Sequence, residues 1–307
     1  MYPLNKILVA LDCSELDATI IRFAAFISRV SDTDTIYFVN VIRHMNIPAA
    51  VQKEFPGIIE NALEERKAQL EASIAKEMEG SNGVKTECIV ENGQPARKIL
   101  EMTEKYKIDL AIVGRKNQLK GSGVLSHRLA RRAVCSLLIV PEGAVTESGK
   151  ILVPIDFSQY AQNALEQAIN IGTRVKNEVE IICQNVYNVP VGYHYTGKSY
   201  EEFRQIMQKN AELDFKKFIK SIDLKGLKVR ECYSLDEDED PVADIYEKAV
   251  KVQASLMVIG AKGRTASTAL FIGSMAERLI QINDTIPMVV VRPKGKAAGW
   301  LDIIKDI

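Results

Sequence analysis

Gly260, Gly263, Gly273 and Ser274 follow one another with the spacing Gly-x2-Gly-x9-Gly-Ser, directly after the apolar run Ser255–Ile259. These residue types suit binding rather than bond making. Glycines let a ligand approach the peptide N–H groups with no Cβ in the way. A helix that starts at Gly273-Ser274 would add free N–H groups and a hydroxyl, a setting that favours an anionic phosphate. The apolar stripe Met275, Leu279, Ile280 predicts that helix. Ser274 reads as its N-cap, and Glu277, three residues on, completes a capping box. Gly260 and Gly263 could also be plain turn residues, although a plain turn would not require Gly-Ser at that later distance.

The elements that must position this loop come from an internal repeat. Lys6-Ile7-Leu8-Val9-Ala10-Leu11-Asp12-Cys13-Ser14 recurs as Lys150-Ile151-Leu152-Val153-Pro154-Ile155-Asp156-Phe157-Ser158. Each copy is followed by an amphipathic helix, Leu16–Arg29 or Gln159–Val175, and a strand, Thr35–Ile42 or Glu178–Val186. Long helical patterns come next, Phe55–Glu79 and Ser199–Ile222, then strands Lys85–Val90 and Lys228–Ser234. Helices Pro95–Tyr106 and Pro241–Val252 precede the strands Leu110–Val113 and Ser255–Ile259. Ser126–Ala133 with Leu137–Val140, and Ser274–Ile282 with Met288–Val291, close the two halves. Strands alternating with helices in this way require right-handed crossovers and a parallel sheet covered on both faces, an α/β fold. The polar stretch Pro141–Gly149 separates the halves, predicting domains at 1–142 and 150–294 and a tail at 295–307.

The 307 residues are 47% hydrophobic and 26% charged, an ordinary globular balance with enough apolar content for two cores. Net charge is zero, which offers no general attraction to nucleic acid or to an anionic membrane. Five cysteines without a C-x-x-C pair argue against a disulfide framework and suit a reducing compartment. The first apolar run, Ile7–Leu11, is too short for a secretory leader, so the expected location is cytoplasmic.

The glycine-serine spacing, complete at every defined position, resembles the nucleotide signature of ATP-binding universal stress proteins, and the repeat resembles two such domains in tandem. The resemblance implies a five-stranded parallel sheet of order 3-2-1-4-5 in each half, with the halves packed as a pseudo-twofold pair. In that order the winding reverses between the first and fourth strands, where open α/β sheets take their ligands. It also implies ATP as the ligand, with or without Mg2+, in the second half. Pro154 and Asp156 would line the site, with Asp156 accepting from the ribose hydroxyls. Val186 would present its backbone to the adenine. Ile259, Gly260, Gly263, Gly273, Ser274 and Met275 would form the phosphate loop. Asp156 could equally cap the helix after it, and both roles can hold at once.

The first half keeps Asp12 and Gly114 but replaces the second glycine by Asn117, shortens the loop, and puts Gly123-Val124 where Gly-Ser stands later. His127 takes the place of Glu277. That site is expected to be weak or empty. His44, His127 and His194 lack partners at metal-ligand spacing, and Arg128, Arg131 and Arg132 read as a solvated face. The run Asp236–Asp240 reads as an acidic loop at a helix start or as a divalent-ion or partner contact. Trp300–Ile307 is expected to dock on the body. Neither a G-x-x-x-x-G-K-[ST] loop nor a G-x-G-x-x-G turn is present, and no general base is identifiable. The expected function is a non-catalytic, nucleotide-dependent stress module, with no protein partner named and homodimerisation left open. The alternatives are a slow Mg2+-dependent ATPase or phosphotransferase and a structural interaction protein with vestigial sites.

Overall fold

The computed structural model describes residues 4–43, 47–81, 83–116, 124–146, 149–175, 178–263 and 272–292. The chain divides into two compact units, Tyr2–Thr146 and Glu147–Ile307. In the first, the elements run β1 (Lys6–Leu11), α1 (Leu16–Val30), β2 (Thr35–Ile42), α2 (Ala49–Glu54), α3 (Ile58–Glu77), β3 (Lys85–Asn92), α4 (Pro95–Lys105), β4 (Leu110–Arg115), α5 (Val124–Arg132) and β5 (Ser136–Pro141). In the second they run β6 (Lys150–Pro154), α6 (Gln159–Gly172), β7 (Glu180–Tyr187), a 3-10 helix (Val191–Thr196), α7 (Tyr200–Ile219), β8 (Lys228–Leu235), α8 (Pro241–Lys251), β9 (Leu256–Gly260), α9 (Ser274–Ile282) and β10 (Met288–Val291).

Within each unit the strands pair in parallel, in the order β3-β2-β1-β4-β5 and β8-β7-β6-β9-β10. This is the 3-2-1-4-5 arrangement twice over. The central strands are apolar on both faces because helices cover both: Ile7, Leu8 and Val9 in β1, and Ile151, Leu152 and Val153 in β6, are fully or almost fully buried. Each such side chain contributes about 1.5–3 kcal/mol by leaving water. The helices supply their apolar stripes, such as Ala161, Ala164, Leu165 and Ala168 of α6. Local chemistry fixes the helix starts. Ser158 Oγ accepts from Ala161 N at the head of α6, Ser199 and Glu202 form a capping box for α7, and Asp240 caps α8 ahead of Pro241.

The long helical pattern over Phe55–Glu79 resolves into α2 and α3. Phe55 ends the first because the residue before a proline avoids helical geometry, and Gly57 turns the chain at φ 84°. The 3-10 helix at Val191–Thr196 has no counterpart in the apolar pattern. Among the described residues no helix is long and apolar enough to cross a membrane.

Candidate functional site

In the second unit β6 runs on through α6 to β7 on one side, while its other neighbour, β9, runs on through α9 to β10. The two connections leave in opposite directions and open a crevice at the carboxyl ends of β6 and β9. A cavity of about 650 Å3 occupies it. Pro154, Asp156, Val186, Ile259, Gly260, Gly263, Gly273, Ser274 and Met275 all line this cavity, together with Asn185, Asp236 and Lys262.

The β6 side is built by a strained turn. Phe157 has φ 63°, and Cys13, its counterpart in the first unit, has φ 62°. A non-glycine residue in this left-handed region costs about 1–2 kcal/mol, and its surroundings must hold it there. Asp156 Oδ1 accepts from Ser158 N at 3.0 Å, and Ser158 Oγ accepts from Ala161 N at 3.2 Å. Ser158 is therefore the helix cap, and Asp156 braces the cap instead of forming it. From below, the buried amide of Asn185 donates to Ile155 O at 2.8 Å, as Asn40 donates to Leu11 O at 2.9 Å in the first unit. Sequence reasoning missed this pair. The signal was an asparagine at the sixth position of the second strand in both repeats.

On the β9 side Gly260, Gly263 and Gly273 all lack positive φ, so close approach of neighbouring atoms, not backbone angle, is what calls for glycine there. A Cβ on Gly260 would lie 2.7 Å from the carbonyl oxygen of Tyr160, and one on Gly263 would lie 2.8 Å from Asp156 Oδ2. The protein itself comes that close. Gly273 N donates to Ala261 O at 2.8 Å and so closes the loop whose residues 264–271 lie outside the described set.

The expected cap at Ser274 is corrected. Gly273, with φ −70° and ψ 149°, is the N-cap, and its carbonyl takes the first intrahelical bond from Glu277 N at 2.9 Å. A glycine has no side chain to cap with, so the Ser274–Glu277 box does not form. Ser274 becomes the first helical residue, and its hydroxyl and the leading N–H groups of α9 stay available to the cavity.

Charge is distributed along the crevice. Asp236 lines it beyond β8 and braces the turn by accepting from Asp240 N at 2.9 Å. Asp240 accepts from Ala243 N and pairs with Arg278 of α9 at 2.8 Å, and the Arg278 hydrogen bond holds its carboxyl below the ordinary range. The acidic run is thus partly built into the head of α8. Lys262 lines the opposite end, beyond β9.

The first unit treats the equivalent positions differently. Lys116 Nζ lies 2.5 Å from Asp12 Oδ2, and Asp17 accepts from Asp12 N at 3.1 Å and Cys13 N at 2.7 Å. Asp17 stands where the second unit has Ala161, and burial pushes its carboxyl up to about 6. Val124 opens α5 where Ser274 opens α9. Asn117 and Gly123, like His44 and the Trp300–Ile307 tail, lie outside the described residues. Among the described residues no three His, Cys, Asp or Glu side chains gather as a metal site would require.

Two tandem, doubly wound α/β units of one strand order define the class of protein. The Universal stress protein family model matches residues 3–141 and again residues 147–292, so the chain belongs to the universal stress protein family and carries its domain twice. Universal stress protein MJ0531 of Methanocaldococcus jannaschii is 30% identical over 145 residues, which is 47% of this chain and 83% of that relative. Universal stress protein YxiE of Bacillus subtilis is 27% identical over 149 residues, 44% of this chain and 98% of the relative. The solved structure of a universal stress protein from Archaeoglobus fulgidus DSM 4304 is similar with a TM-score of 0.65 at 18% identity, covering 96% of this chain and 99% of that one. At that identity the likeness is one of fold.

Proposed function

We propose that the second unit binds ATP and that the protein works as a nucleotide-dependent module whose conformation or associations follow occupancy of that site. One observation carries this reading: the residues singled out by type and spacing, from Pro154 to Met275, line a single cavity where the sheet's winding reverses. Its volume falls within the roughly 300–1,000 Å3 of small-molecule sites. Asp156, anchored through Ser158, would accept from the ribose hydroxyls, and Val186 would face the base. The phosphates would lie toward Gly263, Gly273 and the N–H groups of α9, away from Asp236. ATP acts on such a module only through its differential affinity for two states.

The test is to denature the freshly purified full-length chain, identify any small molecule released, and follow thermal unfolding with added ATP and Mg2+. An adenine nucleotide in the released fraction, or a rise in Tm with ATP, is the expected result. No nucleotide and no shift would leave a two-unit scaffold with a vestigial crevice. Phosphate release abolished by Gly263→Ala would instead make the site a slow ATPase.

A further inference from the structure

Lys262 is 6% exposed and lines the crevice, yet it makes no hydrogen bond and no ion pair among the described residues. Its Nζ lies 6.0 Å from the centre of the Tyr160 ring, at the outer limit of a cation–π contact. The same position in the first unit is Lys116, and that lysine has its counter-ion, Asp12, at 2.5 Å. In the second unit the equivalent carboxylate, Asp156, accepts from Ser158 N at 3.0 Å, and among the described residues it forms no ion pair with Lys262. An ammonium that lines a cavity with no anion beside it is placed to receive one from a ligand, and such charge-assisted contacts are the strong ones.

We infer that Lys262 is a specificity-determining residue of the crevice, a cation with no anion among the described residues that pairs with the phosphate tail of the bound nucleotide. The inference rests on the nucleotide reading of the cavity and deepens it. It assigns discrimination between a phosphorylated nucleotide and the bare nucleoside to a side chain outside the Gly-x2-Gly-x9-Gly-Ser positions. Burial, and after it the positive charge of Arg292, lowers the lysine's pKa, as expected of an ammonium that lacks an anion. A bound phosphate would reverse that effect. The first unit, whose lysine already holds a carboxylate, has no such charge to offer.

Calorimetric titration of the full-length chain with ATP and with adenosine tests this on wild type, Lys262→Met and Lys262→Arg. Wild type should prefer ATP. Lys262→Met should cut that preference about tenfold or more, the size of one charge-assisted contact, by weakening ATP while leaving adenosine unchanged. Lys262→Arg should restore most of it. The empty Lys262→Met protein should also melt at a higher temperature than empty wild type, because a charge without a partner has been replaced by an apolar chain. An ATP-to-adenosine ratio that survives Lys262→Met would overturn the inference and leave the nucleotide reading standing. A Lys262→Met chain that melts lower or fails to fold would also overturn it, since the ammonium would then be satisfied in the empty protein. A wild type that binds neither compound would remove both readings.

Discussion

Lys116 and Asp12 form an ion pair at 2.5 Å at the end of β1. The side chain of Asp12 is 56% exposed, so the pair contributes little to stability, about 0–1 kcal/mol. Its consequence is chemical. In the first unit Lys116 takes one carboxylate oxygen of Asp12, and Asp17 takes the N–H groups of Asp12 and Cys13. An anion entering there would meet two carboxyl groups and a lysine already paired. Native mass spectrometry of the full-length chain with excess ATP should therefore show a single nucleotide per chain. Lys116→Met should not add a second, because it uncovers Asp12 without supplying positive charge. Two nucleotides per wild-type chain would contradict this assignment.

The two glycines of the β9 turn should separate stability from binding. Gly260→Ala drives a Cβ to 2.7 Å from the Tyr160 carbonyl, a backbone atom that cannot move alone, and should cost about 1–3 kcal/mol. Gly263→Ala meets Asp156 Oδ2 at 2.8 Å, the end of a side chain that can turn away. Its cost in stability should stay below about 1 kcal/mol, but the displaced carboxylate should weaken ATP binding. Urea midpoints and ATP titrations of both variants check the order. A Gly263→Ala chain that unfolds more readily than Gly260→Ala would reverse it.

Much of this arrangement was legible in the sequence, and what was not has physical reasons. The repeat, the alternation of strand and helix, and the glycine-serine spacing depend on local apolar periodicity and residue type, and the residues they nominate share one cavity. The strand order came from the family resemblance, because periodicity says nothing about which strands pair. The cap at Gly273 lay one residue before the expected Ser274 because a helix start is decided by backbone angles as much as by side-chain preference. The left-handed Cys13 and Phe157 were invisible because neither residue type favours that geometry. Lys262 and Asp17 carry no motif. Their significance appears only when burial and partners are known and the two repeats are compared position by position.

Asn185 and Asn40 offer a matched pair of tests. Each is buried within its β-sheet and donates to the carbonyl at the end of the neighbouring strand, Ile155 O or Leu11 O. Replacement by Ala leaves that carbonyl unsatisfied and should cost about 1–3 kcal/mol in either unit. Only Asn185→Ala should also weaken ATP binding, because Ile155 leads directly into Asp156. Equal effects of the two variants on ATP affinity, measured by titration at a temperature where both are folded, would argue against the second unit as the site.

Asp17 should give the first unit a distinctive pH dependence. Burial raises its carboxyl from 3.8 to about 6, against two backbone N–H groups that favour the anion. A carboxyl raised on folding binds its proton more tightly in the folded chain. The stability this confers is complete below about pH 4 and is lost as pH rises through about 6, amounting to about 3 kcal/mol. Asp12 acts in another window: burial pushes its carboxyl up, but the Lys116 hydrogen bond, contacts with Ser14 and the Lys116 charge outweigh it and leave the group lowered, so its contribution fades only in more acid solution. Asp17→Asn removes the first effect. The variant, compared with wild type by urea unfolding, should be at a clear disadvantage near pH 4.5 and at a much smaller one at pH 7. A stability difference that stays flat across that interval would mean that Asp17 titrates in the folded protein as it does in the unfolded chain.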